Sequence, residues 1–150
     1  MKKILCIFLS LALVLFSAGC TAKKADLKTV STANAPAAIG PYSQAQVVNG
    51  IVYTSGQVGI DPETGELADG LEAQCEQVFK NLSAVLNAAG SDLGKCIKTT
   101  VFITDMDDFA LVNEIYAKYF SEPFPARSCV EVSELPKGAL VECEVIAIVG

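Results

Sequence analysis

The sequence predicts an α+β two-layer sandwich, in which a single β-sheet carries two helices on one face. Three observations predict this class: an Asn-Gly pair between two β-rich runs, two amphipathic helical patterns, and strand-like runs after each helix. The 150 residues are 51% hydrophobic and 19% charged, which suits one compact domain and excludes intrinsic disorder. The predicted order ββ(β)αβαββ leaves the other face of the sheet free for a partner subunit.

The first twenty residues have the layout of a bacterial export signal. Lys2 and Lys3 precede an apolar stretch over residues 4–16, and the small residues of SAGC follow. The apolar stretch is too short to span a bilayer comfortably. SAGC resembles the lipobox of bacterial lipoproteins, although Ser17 stands where leucine is usual, and this resemblance implies lipidation of Cys20. We expect an exported, membrane-anchored lipoprotein, with an uncleaved signal-anchor or a cytoplasmic location as the alternative.

Three segments divide the chain: a signal peptide over residues 1–19, a tether over residues 20–32 and a folded domain over residues 33–150. The tether contains three lysines, small residues and little periodicity, and its lysines suit contact with anionic lipid headgroups. Removing the signal peptide takes away two lysines and no acid, which leaves 9 basic and 17 acidic side chains and a formal charge of −8. This charge argues against a nucleic-acid partner.

A β-hairpin opens the predicted domain, after an irregular proline-containing segment that reads NAPAAIGPYSQA. Residues 44–48 and 51–55 flank Asn49 and Gly50, which suit a type I′ turn because both of its central residues need positive φ. Residues 58–60 are expected to add a short third strand.

Two helices and three strands follow. Apolar residues recur at spacings of three and four over residues 69–89, which predicts an amphipathic helix that ends at Gly90. Residues 96–104 are β-branched and predict a strand, and the acids after them suit the start of a second helix to about Phe120. In the last strand, residues 141, 143, 145, 147 and 149 form an apolar face, whereas the opposite face carries Glu142 and Glu144.

Arg127 is the only arginine of the chain, and it lies in the apolar segment FPARSCVEV, which predicts a buried or half-buried strand. A guanidinium among apolar side chains costs several kcal/mol unless it is paired, so an anion is expected beside it. The planar fork suits a carboxylate or a phosphate. Arg127 is therefore the first candidate for a residue that anchors a ligand.

The composition limits the available chemistry. There is no histidine, which excludes a histidine-based triad and a His-ligated metal. The domain has four cysteines, Cys75, Cys96, Cys129 and Cys143, which allow three disulfide connectivities that the sequence cannot choose among. Each lies where a small buried hydrophobe would serve, so we expect free buried thiols. The absence of a CxxC pair argues against a zinc site.

Four motifs, NAPAAIGPYSQA, TSGQ, KTTVFITDMDDF and FPARSCVEV, together resemble the RidA family, also called YjgF, of imine and enamine deaminases. The resemblance runs over residues 33–149. It implies a chorismate mutase-like fold that assembles as a homotrimer, with ligand sites in clefts between subunits. It also implies hydrolysis of 2-imino acids, such as 2-iminobutanoate and 2-iminopropanoate, to 2-keto acids and ammonia. No metal or organic cofactor is implied, because imines hydrolyse spontaneously and need only modest acceleration.

The resemblance also implies a set of site residues. Arg127 would hold the substrate carboxylate, and Glu142 would polarise the attacking water as general base. Lying near Arg127, Glu142 is expected to ionise readily. Tyr42 is the third catalytic residue that the resemblance implies, and it would shape and close the cleft. The matched substrate-binding positions beside Arg127 are Ser55, Gly56, Asn113 and Cys129.

Each of these site residues also has a simpler structural interpretation. Arg127 could pair with Glu131 or Glu142 in an interface salt bridge, and Glu144 is a rival for the base. Cys129 is expected to pack rather than act as a nucleophile, since only Arg127 is near enough in sequence to activate it. The alternative function is a noncatalytic lipoprotein that captures a small carboxylate in the same cleft. Ribonuclease activity is disfavoured by the charge of −8 and the missing histidine.

Overall fold

The computed structural model describes residues 25–150, which form one sheet and two long helices. The strands are β1 (Leu27–Val30), β2 (Ala45–Val48), β3 (Ile51–Thr54), β4 (Gln57–Val58), β5 (Cys96–Ile103), β6 (Ala126–Glu131) and β7 (Val141–Ile148). The helices are α1 (Gly70–Ala89) and α2 (Phe109–Tyr119). Short 3-10 turns lie at Leu93–Lys95, Met106–Asp108 and Pro136–Gly138. The predicted α+β class is confirmed.

The sheet is mixed, with the order β1-β2-β3-β7-β5-β6, and β4 also pairs with β7. All pairs are antiparallel except β5 with β6, which are parallel. Helix α2 connects these two parallel strands, as a parallel crossover requires. Strand β6 stands at the end of the strand order, so within residues 25–150 it is an edge strand that pairs only with β5.

The predicted hairpin and first helix are present. Asn49 and Gly50 have φ values of 50° and 79°, as a type I′ turn requires. Helix α1 is followed by Gly90 at φ 82°, whose N–H donates to the carbonyl oxygens at the end of the helix. The turn before α2 is capped as expected, since Asp105 accepts a hydrogen bond from the Asp107 N–H.

Strand β1 lies inside the segment that the sequence assigned to the tether. Leu27–Val30 pairs with β2, and Val30 is buried. Only one of the four residues is buried, so the segment lacks the alternation that reveals a strand, and the pairing depends on the free edge of the hairpin. The folded domain therefore begins before Ala33. The predicted signal peptide and Cys20 lie outside the described residues.

The core lies between the helices and one face of the sheet. Phe79 of α1 packs against three aromatic rings of the α2 region, with centroid distances of 5.7 Å to Tyr116, 5.0 Å to Tyr119 and 5.7 Å to Phe120. Tyr116 and Phe120 are stacked at 4.2 Å. This cluster joins the two helices and thereby fixes the position of α2 over β5 and β6.

The two faces of β7 differ as the alternation predicts. Val141, Cys143, Val145 and Ala147 are buried against the helices. The opposite face of the sheet, called here the open face, carries large apolar side chains in contact with solvent, including Leu27, Tyr53, Val130 and Ile148 with exposed fractions of 65%, 43%, 40% and 51%. Apolar exposure on this scale is typical of an interaction surface.

The four cysteines of the domain are free thiols, as expected. Cys75 and Cys143 are buried, whereas Cys96 and Cys129 are half-buried. Among residues 25–150, no helix is long and apolar enough to cross a membrane.

Candidate active site

Glu142 projects from β7 on the open face, where β4 pairs alongside it. Val58 of β4 is opposite Glu142 in the ladder. The Glu142 side chain lies directly over Gly56: a Cβ atom added at Gly56 would come within 2.6 Å of the Glu142 carboxyl carbon. Only a glycine therefore allows the carboxylate to lie against the backbone at this position.

A cavity of about 560 Å³ opens beside Glu142. It lies between the proline-containing segment before β2, the turn after β4 and the Pro136–Gly138 turn. Of the residues predicted for the site, Tyr42, Ser55, Gly56 and Glu142 line it. The structure therefore brings these four together within one chain.

Tyr42 and Ser55 hold the cavity wall through hydrogen bonds to the backbone. The Tyr42 hydroxyl accepts from the Ile39 N–H at 3.2 Å. The Ser55 hydroxyl donates to the Ser43 carbonyl at 2.6 Å. In this state Ser55 stabilises the loop, whereas the exposed Tyr42 ring borders the opening.

The pKa of the Glu142 carboxyl is raised above its ordinary value. Burial is the larger cause, because a partly desolvated carboxylate is disfavoured, and the neighbouring Glu144 carboxylate adds to it. The expectation that Arg127 would favour ionisation of Glu142 is not met within one chain. A carboxyl with a raised pKa is a better proton acceptor near neutral pH than an ordinary glutamate.

A second group of predicted residues surrounds Arg127 on β6. An Nη of Arg127 donates to the Asn113 side-chain oxygen at 2.6 Å, and the guanidinium carbon lies 4.6 Å from the Tyr116 ring centroid and 5.7 Å from that of Phe109. Among residues 25–150, no carboxylate lies within salt-bridge distance of Arg127. Within one chain Arg127 forms no salt bridge with Glu131 or Glu142, and Glu131 accepts from the Met106 N–H. The alternative of a salt bridge at a subunit interface stays a prediction.

Cys129 lies two residues after Arg127 on the same side of β6 and is half-buried. The pKa of its thiol is raised by burial, and the opposing effect of Arg127 is smaller. A protonated thiol is a poor nucleophile, which agrees with the expectation that Cys129 packs beside the site.

The two groups lie on opposite faces of the sheet. Arg127 is in register with Thr99 of β5, and Thr99 with Val145 of β7, so all three share the helix-covered face. Glu142 precedes Val145 by an odd number of residues and faces the other way. One chain therefore presents two half-sites: the Arg127 half-site with Asn113 and Cys129, and the Glu142 half-site with Tyr42, Ser55 and Gly56.

The sequence reasoning missed several residues around both half-sites. Tyr116 and Phe109 form the aromatic surroundings of Arg127. Their spacing on α2 indicates the inner side of the helix but not a contact with Arg127. Lys137 borders the cavity from a turn in which it adopts a left-handed φ of 64°. The LPKG sequence gives a turn signal, but nothing local shows that the turn faces Glu142.

The mixed sheet, its two helices and the paired half-sites define an α+β protein of the RidA-like type. The chain belongs to the RidA family, since its residues 32–149 match the family described as endoribonuclease L-PSP. This confirms the family resemblance. The predicted lipoprotein signal lies before the matched residues and stays a prediction.

The chain is similar to proteins that are named for a deaminase activity. It is 50% identical over 124 residues to the 2-iminobutanoate/2-iminopropanoate deaminase of Salmonella typhimurium, a match that covers 81% of this chain and 97% of that protein. It is 48% identical over 124 residues to the human protein of the same name, with 82% and 90% covered.

Solved structures agree with the fold. RidA from an Antarctic Psychrobacter bacterium has a TM-score of 0.80 and 51% identity, and the match covers 81% of this chain and 99% of that one. TdcF of Escherichia coli, solved with bound serine, has a TM-score of 0.78 and 41% identity, with 82% and 99% covered.

Proposed function

We propose that this protein hydrolyses reactive 2-imino acids and their enamine tautomers to 2-keto acids and ammonia, as a deaminase of the 2-iminobutanoate/2-iminopropanoate type. One observation carries the proposal: Arg127 is half-buried, oriented by Asn113 and without a carboxylate among the described residues. A guanidinium in this setting is suited to a ligand carboxylate. The identity of about 50% to proteins named for this activity supports it.

The carboxylate of the substrate would be the missing anion of Arg127. The Nη group that donates to Asn113 fixes the plane of the guanidinium, which leaves the other N–H groups for a bidentate contact. The C=N carbon is bonded directly to the carboxylate carbon, so holding the carboxylate also fixes the position of the C=N carbon. Orientation of this kind lowers the barrier by making the attack effectively intramolecular.

Glu142 would act as the general base. Its carboxylate takes one proton from a water molecule while the water oxygen bonds to the imine carbon, and the C=N electron pair moves to nitrogen. Protonated Glu142 then gives this proton to the nitrogen, and the hydroxyl proton is transferred to the nitrogen as well while the C–N bond breaks and the new carbonyl forms. The products are a 2-keto acid and ammonia, and Glu142 returns to its starting state.

The complete site would be assembled between copies of the chain. Arg127 and Glu142 face opposite sides of one sheet, so the cleft needs Arg127 from one copy and Glu142 from the next. A homotrimer is the assembly we propose, in which the apolar residues of the open face are buried against other copies. Arg127 is also well placed for such a contact, because β6 is an edge strand.

The activity is tested on the purified full chain. Generating 2-iminobutanoate or 2-iminopropanoate in situ and following its loss should show acceleration over the spontaneous reaction. A chain that forms trimers and gives no acceleration would overturn the deaminase proposal.

The shared site is tested by mixing two inactive variants, Arg127→Ala and Glu142→Gln. Unfolding and refolding them together at equal concentration should restore about a quarter of the wild-type rate, because a random quarter of the clefts receives both intact residues. Each variant refolded alone is the control. No recovery in mixed trimers would show that Arg127 and Glu142 of one cleft do not come from different copies of the chain.

Noncatalytic capture of a small carboxylate is the alternative function. TdcF, a relative solved with bound serine, shows that a similar chain binds an amino acid. The two functions separate on turnover: a binding protein would retain a 2-keto acid or amino acid in equilibrium dialysis without accelerating imine loss.

We also propose that the chain is exported, cleaved before Cys20 and anchored by lipid on that residue. The charged start, the apolar stretch and SAGC support this, and β1 begins only a few residues after Cys20, which would keep the domain close to the membrane. Labelling cells with a radioactive fatty acid should mark the wild-type protein but not Cys20→Ala. An unlabelled wild-type protein that fractionates with the cytoplasm would contradict the anchor.

A further inference from the structure

Asn81 is a fully buried polar residue on α1, 0% exposed, in a helix whose other buried side chains are apolar except for Gln74. Its side-chain N–H groups donate to two backbone carbonyls, those of Val58 at 3.0 Å and Ile60 at 2.8 Å. Its side-chain oxygen accepts from Gln77 at 2.9 Å. A buried amide satisfied in this way fixes the backbone that it contacts, since any shift leaves a donor unpaired.

The two carbonyls lie on either side of Gly59, where the chain leaves β4 in a tight turn. The Ile60 N–H donates back to the Val58 carbonyl at 2.8 Å. Gly59 itself is pressed against α1, because an added Cβ atom would lie 2.6 Å from the Gln74 Cα atom. The turn is thus held by Asn81 from one side and by the backbone of α1 from another.

This turn determines the surroundings of Glu142. Val58 is the ladder partner of Glu142, and Gly56, two residues earlier, lies beneath the carboxylate. Helix α1 also contacts the chain just before β7, where the Gln74 side-chain oxygen accepts from the Leu140 N–H at 2.9 Å. Helix α1 therefore holds both backbone segments between which the carboxylate lies.

We propose that Asn81 is a positioning residue of the active site, which sets the orientation and the solvation of Glu142 by fixing the turn after β4. This inference rests on the proposed function of Glu142 as general base. Asn81 does not line the cavity and would act only through Val58 and Ile60.

The test is Asn81→Leu in the full chain, a change of similar size that removes both donors. We expect kcat to fall ten- to hundredfold with KM little changed, because the base moves while Arg127 still holds the carboxylate. The acid limb of the pH profile should move to lower pH, since water admitted beside Glu142 lowers its pKa.

The matched control is Ser91→Ala. Ser91 is also buried, and its hydroxyl donates to the Ile148 carbonyl of β7 at 2.7 Å, at the end of the strand far from Glu142. Both variants lose buried hydrogen bonds, so both should lower Tm. Only Asn81→Leu should move the acid limb and kcat; equal shifts in both, or none in the folded Asn81→Leu, would overturn the proposal.

Two further measurements keep the inference testable. If Asn81→Leu does not fold, Gln77→Met replaces it, because Gln77 is half-buried and orients the Asn81 amide. This variant should shift kcat and the acid limb in the same direction by smaller amounts. An unchanged pH profile would refute the positioning role.

The Glu142 titration can also be read by NMR of ¹³C-labelled glutamate carboxyls, assigned with Glu142→Gln. That reading needs no turnover, so failure of the deaminase proposal and failure of the positioning role are distinguished.

Discussion

The Arg127 guanidinium donates to the side-chain oxygen of Asn113 at 2.6 Å, across the gap between edge strand β6 and helix α2. The amide oxygen of Asn113 orients the guanidinium and leaves its charge in place. A carboxylate in the same position would neutralise that charge. The positive charge is thus kept available for a ligand, while the Tyr116 ring supports it from one face.

Replacing Arg127 should remove activity while leaving the assembly intact. Arg127→Ala is expected to lower kcat/KM by roughly 10³-fold or more, because it deletes the contact that positions the substrate. Arg127→Lys should recover only part of the loss, since a lysine lacks the planar fork. Sedimentation should show unchanged oligomers; near-normal rates in Arg127→Ala would mean that another group anchors the substrate.

Placing an acid at position 113 should inhibit the enzyme by occupying Arg127. Asn113→Asp would form an ion pair with Arg127 that competes with the substrate carboxylate, so KM should rise roughly tenfold or more. Asn113→Ala, which removes the orienting contact without adding charge, should change KM less. Steady-state kinetics on both variants decide the point, and an Asp variant with the lower KM would contradict it.

A methyl group at Gly56 should displace the Glu142 carboxylate. The added Cβ of Gly56→Ala overlaps the Glu142 side chain, so kcat should fall by roughly ten- to hundredfold. Gly40→Ala is the control, since its Cβ would meet Tyr42 only at 3.5 Å. Comparable losses in both variants would show that the effect is general disruption of the loops.

Removing the charge of Glu144 should shift the acid limb of the pH profile. Glu144 raises the Glu142 pKa, so Glu144→Gln should lower it and extend activity to lower pH. The reaction needs the Glu142 carboxylate, so the limb follows the pKa in the same direction. The measurement is kcat/KM as a function of pH across the whole acid limb, compared between the variant and the wild-type protein. A limb that moves upward would contradict the assignment.

The Cys129 thiol should be dispensable for chemistry. Burial raises its pKa, so little thiolate exists at neutral pH. We expect Cys129→Ala to retain kcat within a few-fold of wild type and iodoacetamide to react slowly at pH 7. Rapid inactivation by iodoacetamide that Cys129→Ala abolishes would point to a nucleophile instead.

Much of the local structure could be read from the chain. The spacing of apolar residues in α1, the Asn49-Gly50 turn and the alternation of β7 each encode their element within a short window, because helix and strand periods are local properties. Strand β1 was missed for the same reason. Its four residues carry no clear period, and only the free edge of β2 makes them a strand.

The sequence by itself determined which side chains could do chemistry: a lone arginine with no local partner and an acid on the outer face of the last strand. Only the tertiary structure decided that Arg127 meets an amide and aromatic rings, that Glu142 has a raised pKa, and that the two lie on opposite faces of the sheet. The physical reason is that the alternation of side chains along one strand is a local property. Whether side chains of two different strands point to the same face of the sheet depends on strand order and register. Those are set by contacts between residues far apart in the chain.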